Sequence, residues 1–175
     1  MKALAPLLVA AGVALLLVAG LAASCAPKAP TSARPGARLV VVPIGARKPD
    51  TDRPVAFVEV SSTPETRSRG LGGRDRLAPD SGMLFVYATD DVRNYWMKDC
   101  VLALDIAFID RDQRIASVAT LPPGAGRPDQ EIARAGSKVP ARYVLETSAG
   151  WMAGHGLGVG DEVDLTAALV GVQAR

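Results

Sequence analysis

The stretch that decides the fold is NYWMKDCVLALDIAFID, residues 94–110. Two aromatics, a methionine, a lysine, an aspartate and a cysteine stand side by side in it. An apolar run with one acid inside it, Asp105, then follows. The run LALDIAFID reads as a buried strand. Strand alternation would send Trp96, Lys98 and Cys100 to one side, and Met97 and Asp99 to the other. An aromatic plate beside a cation and hydrogen-bonding groups suits a sugar, a peptide or a carboxylate. The competing reading packs Trp96 in the core and pairs Lys98 with Asp105, because an acid in an apolar run needs a partner or a backbone donor. Both readings stand at this level.

Working outward, DRDQR is a polar turn, and IASVATL returns as the hairpin partner of the buried run. Upstream, RLVVVPIG is a β-branched run broken by Pro43, which predicts an edge strand. VAFVEVSS alternates as a half-buried strand. A two-turn helix is expected next, with Thr63 as cap, Pro64 at its first position, Glu65 at the positive end of the dipole and Gly70 at its end. GMLFVYA is a strand with apolar side chains on both faces. Residues 121–140 read as a long proline- and glycine-rich loop. ARYVLETS is a further strand, Ser148 is a candidate cap for a short helix AGWMAGHG, and VGDEVDL turns into the last strand. The tail TAALVGVQAR is expected to extend that strand or fray. The pattern predicts a mainly β (α+β) fold, a compact β-sandwich or distorted barrel with two short helices.

The amino terminus speaks to location. MKALAPLLVAAGVALLLVAGLAASC has an early lysine, a long uncharged apolar stretch, small residues and a cysteine, the pattern of a secretory signal. LAASC resembles the lipobox of bacterial lipoproteins, which implies that residues 1–24 are a signal and that Cys25 carries lipid. Residues 25–37, rich in Pro, Ala and Ser, are expected to be a flexible tether. Residues 38–170 then form one globular domain, long enough to bury about two thirds of its unfolded surface. Of 20 basic residues, Lys2, Lys28 and Arg34 precede the domain, which leaves 17 from Arg38 to Arg175 against 18 acids. With no basic block, nucleic acid is not expected as a partner. The membrane, reached through lipid at the cell envelope, is.

Catalytic and metal readings are thin. Of two cysteines, one is assigned to lipid, so Cys100 is either a small packing residue or a reactive thiol. A thiol enzyme would need His155, the sole histidine, which lies in a glycine-rich turn far along the chain. The carboxylate pairs Asp90 with Asp91 and Asp110 with Asp112 sit in turn-like contexts, where solvated loop acids are the default. Met97, Met152, His155 and Cys100 are soft ligands that could hold Cu(I) only by converging in space. No cofactor or metal is expected.

VEVSSTPETRSRGLGGR, GMLFVY, WMKDCVLALDIAFID, YVLETSAG and GDEV, in that order, resemble the bacterial and archaeal domain of unknown function 192 family over about residues 38–166. The resemblance implies a compact, mostly β fold, often behind a signal or lipobox, and no established activity. The family's polar signature falls on Arg69, Gly70, Leu71 and Arg74, then on Trp96, Met97 and Lys98, then on Leu104 and Asp105. The chain departs from the pattern at Asp99 and Cys100, where asparagine and threonine are usual, and at Ala103, where proline is. The expectation is a membrane-anchored envelope lipoprotein, not catalytic, with a small polar or envelope-derived ligand near Arg69, Arg74, Trp96, Lys98, Asp99 and Asp105. The alternatives are a hydrolase or thiol enzyme using Cys100 or a carboxylate pair, and a structural lipoprotein without a ligand site.

Overall fold

The computed structural model describes residues 53–175 in full and the backbone of residues 37–42. Cys25 and the signal and tether segments lie outside the described residues.

The buried run forms β5 (Leu104–Ile109), and every residue in it is buried. It lies between β6 (Ile115–Leu121) and β8 (Ala141–Ser148), antiparallel to both. The sheet continues through β3 (Ser81–Asp91), β2 (Val55–Ser61), β1 (Ala37–Val42) and β9 (Glu162–Asp164). Only β2 and β3 run parallel, and the crossover joining them carries α1 (Pro64–Arg69). β4 (Asn94–Trp96) and β7 (Arg134–Gly136) form a separate antiparallel ribbon. The fold is thus mainly β with two short helices, the second being α2 (Trp151–Gly154).

The seven-stranded sheet curls until its outer strands touch at one end. Ile115 N–H donates to Asp161 O (2.9 Å), Val163 N–H donates to Gln113 O (2.7 Å), and Arg114 and Glu162 form an isolated bridge. No ladder continues from there, so the sheet does not close into a barrel.

Period-2 alternation divides the apolar residues between two cores. Ala107 and Ile109 join Val58, Leu84, Val86 and Leu145 on one face, covered by Trp151, Met152, Leu165 and Ala168. Leu104, Ile106 and Phe108 join Phe85 and Val144 on the other, covered by Met97, Cys100, Leu121 and Ile132. This two-sided burial is why β5 reads as a continuous apolar run.

Local signals explain α1. The Thr63 hydroxyl accepts from Thr66 N–H (3.3 Å), Thr66 Oγ1 accepts from Thr63 N–H (3.1 Å), and Gly70 ends the helix by donating to Thr66 O. Such a cap stabilises a helix by about 1 kcal/mol.

Four expectations are corrected. β1 pairs on both sides and is no edge strand; Pro43 follows its last residue and lies outside the described residues. Ser148 ends β8, and the residue before α2 is Gly150 in the left-handed region (φ 86), so no side chain caps that helix. The 121–140 segment is not all loop, because β7 and a single 3₁₀ turn at Asp129–Glu131 lie within it. The tail folds back in turns, burying Ala168, and Arg175 N–H donates to Ser62 O. Among the described residues no helix is long and apolar enough to cross a membrane.

Candidate functional site

A groove of about 650 Å³ opens on the second face of the sheet. Its walls come from α1 and the turn after it, from Phe85 and Tyr87 of β3, and from β4. The turn 98–100 contributes Lys98, Asp99 and Cys100, and Glu146 of β8 also lines the cavity.

The strand alternation expected through Trp96 and Cys100 breaks immediately after β4. Cys100 N–H donates to Met97 O (3.1 Å), and Asp99 takes a positive φ of 59°. This tight turn buries Met97 and Cys100 and leaves Lys98 and Asp99 exposed. The turn after α1 closes onto it through Gly73 (φ 72), whose N–H donates to Asp99 O (2.8 Å). On the far side Gly124 approaches so closely that a Cβ there would lie 2.2 Å from Met97 O. The turn is held from both directions by backbone.

Trp96 is 40% exposed, with the Lys98 ammonium 4.9 Å and the Arg134 guanidinium 4.7 Å from ring centroids. Lys98 Nζ also donates to both carboxylate oxygens of Asp129, at 3.1 and 3.2 Å. Inside, Tyr95 meets Phe85 and Phe108 edge-on, with centroids 5.2 and 5.7 Å apart. Its hydroxyl pairs with that of Tyr87 at 2.8 Å. Burial, with the neighbouring Tyr87 next in importance, holds the Tyr95 phenol well above its usual range.

Glu146 is the residue that sequence reasoning passed over. It is 6% exposed, and among the described residues its carboxyl has no hydrogen bond or ion pair. Burial raises its pKa to about 7. Isolated burial disfavours the ionised form, so the carboxyl holds its proton into the neutral range. The rule that singled out Asp105, an acid beside apolar neighbours in a strand, applies equally to the Glu146 of VLETS.

Asp105 is corrected. It lies on the opposite face, where Oδ1 accepts from Thr120 Oγ1 (2.6 Å) and Oδ2 accepts from Met152 N–H (2.9 Å). It pairs with neither Lys98 nor Arg69; it ties α2 to the sheet. Arg74 is likewise outside the groove lining, held by both carboxylate oxygens of Glu59. Arg69, Trp96, Lys98 and Asp99 do line it. Among the described residues the exposed Arg69 has no ion pair or hydrogen bond through its side chain.

The thiol, carboxylate and copper readings lose their geometry. Cys100 is a free, buried cysteine whose pKa is pushed up to about 11, first by burial and then by Glu146 and Asp99. His155 follows α2, which packs on the other face, and its Nδ1 lies 2.8 Å from Trp151 O. Asp90 is bound by Arg142, and Asp110 accepts from backbone N–H groups of its own turn, as solvated loop acids do. Met97 and Met152 belong to different cores, and no group of three or more metal-binding side chains occurs among the described residues.

A family model for the domain of unknown function 192, described as an uncharacterized ACR, matches residues 47–165. A solved protein from Sinorhizobium meliloti, described as a candidate transcription regulator, is 31% identical with a TM-score of 0.62, over 73% of this chain and 91% of that one. A protein of unknown function from Novosphingobium aromaticivorans is 26% identical with a TM-score of 0.62, over 73% and 83%. No curated protein matches.

Proposed function

The chain belongs to the domain of unknown function 192 family, and from that premise we propose that it is an envelope lipoprotein that binds a small polar ligand in the groove between α1 and β4. The carrying observation is the groove itself. Aromatic walls, a cation at Arg69 and a buried acid at Glu146, neither with a side-chain partner among the described residues, line one concave site. Natural small-molecule sites combine apolar walls with a few convergent polar groups in this way. A buried carboxyl without a partner is destabilising, and a ligand that supplies the partner relieves it.

The membrane anchor rests on the LAASC segment and its apolar leader. Metabolic acyl labelling of the wild type beside Cys25→Ser tests it, and equal labelling of the two removes it. A role in transcription regulation through nucleic acid is not favoured by the near-neutral charge of residues 38–175, with 17 bases against 18 acids. A thiol enzyme is disfavoured by the raised Cys100 pKa and by the placement of His155.

The groove is tested by thermal shift of the purified full chain against sugars, simple carboxylates, amines and short peptides. A ligand that binds only the folded state adds about 2.7 kcal/mol at a concentration 100 times its Kd. At least one class should raise the melting temperature of the wild type and fail to raise that of Trp96→Ala. If no compound shifts the wild type, the binding reading falls.

A further inference from the structure

The charges lining the groove are not all available. Arg67 donates to Val86 O (3.1 Å) and Arg175 O (2.6 Å) and lies 4.7 Å from the Tyr87 ring centroid. Lys98 is held by Asp129. That leaves Arg69, an exposed cation on the wall, Asp99, an exposed acid on the turn, and Glu146, a buried acid in the same cavity as Phe85, Tyr87 and Tyr95; among the described residues none of the three has a side-chain hydrogen bond or ion pair. A carboxyl flanked by Tyr95, Phe85 and Tyr87 offers an organic ammonium both an ion pair and π faces. The guanidinium offers an acid group a planar fork.

Resting on the binding reading above, we propose that the ligand is a zwitterionic amino compound of the amino acid or short-peptide class. Its ammonium sits on Glu146, and its acid group is held by Arg69. Arg69 and the buried Glu146 have opposite signs, so a neutral sugar would leave both unmatched and a simple anion would leave Glu146 unmatched, while the exposed Asp99 is solvated without a ligand.

The proposal carries a proton signature. An ammonium needs the ionised carboxylate, and the Glu146 pKa of about 7 lies inside the accessible range. The titratable and charged groups that line the cavity with it are Tyr87 and Tyr95 from the β3 and β4 walls, Lys98, Asp99 and Cys100 from the turn, and Arg67 and Arg69 from α1, of which Tyr95 and Cys100 feel its charge. Tyr95 and Cys100 are both shifted upward, so they stay neutral through neutral pH. Binding should therefore weaken about tenfold from pH 8 to pH 6, as the ligand displaces a proton from Glu146.

The test is isothermal titration calorimetry of the full chain. The probes are free amino acids and dipeptides, each beside its N-acetyl form and its carboxyl-terminal amide. The expected result is binding of a free form, at least tenfold weaker on N-acetylation and about tenfold weaker at pH 6 than at pH 8. Glu146→Gln should abolish the discrimination against the N-acetyl form, and Arg69→Gln the discrimination between acid and amide. Melting curves of both variants verify that they fold. Equal binding of free and N-acetyl forms, or unchanged selectivity in Glu146→Gln, overturns the assignment. If the panel is silent while sugars or simple carboxylates bind, the zwitterion is wrong and the ligand groove stands. If nothing binds in either experiment, both fall.

Discussion

Asp105 and Glu146 sit on adjacent strands, one register step apart, since Asp105 faces Thr147 and Ile106 faces Glu146 across the ladder. Both are buried acids within apolar runs, yet the sheet sends them to opposite cores. On its face Asp105 finds the Thr120 hydroxyl and the Met152 backbone N–H, one for each oxygen. On the other face Glu146 finds aromatic rings, a thiol and an open groove. Burial alone therefore does not say what an acid is for. A carboxyl with two local donors fastens elements together, and one with none stores an unmet demand at a cavity.

That contrast can be broken most directly at Asp105. Asp105→Ala removes a charged acceptor from two buried donors and should cost about 3–5 kcal/mol in urea unfolding, since hydrogen bonds to charged groups contribute about 1.5–3 kcal/mol each. A loss below about 1 kcal/mol would erase the difference between the two faces.

Glu146 should behave in the opposite sense. Unfolded, it ionises near the ordinary 4.5; folded, it holds its proton to about 7. The folded state therefore binds more protons between those values. The group's contribution is fully present below pH 4.5 and is lost as pH rises through about 7. The ceiling on that loss is about 3 kcal/mol. Glu146→Gln should accordingly be the more stable protein at pH 8 by up to that amount, with the difference shrinking toward pH 5. Parallel denaturation curves at the two pH values measure it, and a pH-independent difference would mean that Glu146 has a partner after all.

Cys100 sharpens the comparison at the edge of the same face. Cys100→Ser places a hydroxyl in an apolar contact and should cost about 1–3 kcal/mol, leaving ligand binding unchanged. Loss of binding without loss of stability would make the thiol part of the site. The smallest effect belongs to Trp96. Its ring is 40% exposed, so Trp96→Ala should cost under about 1 kcal/mol while removing binding. Unfolding of this variant would turn the plate into core and take the ligand reading with it.

Much of this was legible before folding. The apolar density of residues 104–109 specifies a strand buried on both faces. Thr63, Pro64 and Gly70 mark the ends of α1 from the residue types alone, because capping is local chemistry. Trp96 and Lys98 share the groove with Met97 turned away from it, as alternation expects, but the Met97–Cys100 turn then breaks the alternation and brings Asp99 to the same side. The pairing of Lys98 with Asp129, 31 positions away, has no signature in the sequence.

The sequence by itself determined the longer strands, the caps of α1, the near-neutral charge and the presence of acids where water is excluded. Only the tertiary structure decided which acid would be satisfied. A period-2 pattern fixes which side of a strand each residue takes. Whether a donor waits on that side depends on which strand, helix or turn the chain lays over it. Thr120 and Met152 come to Asp105 from 15 and 47 positions away; among the described residues no such donor reaches Glu146.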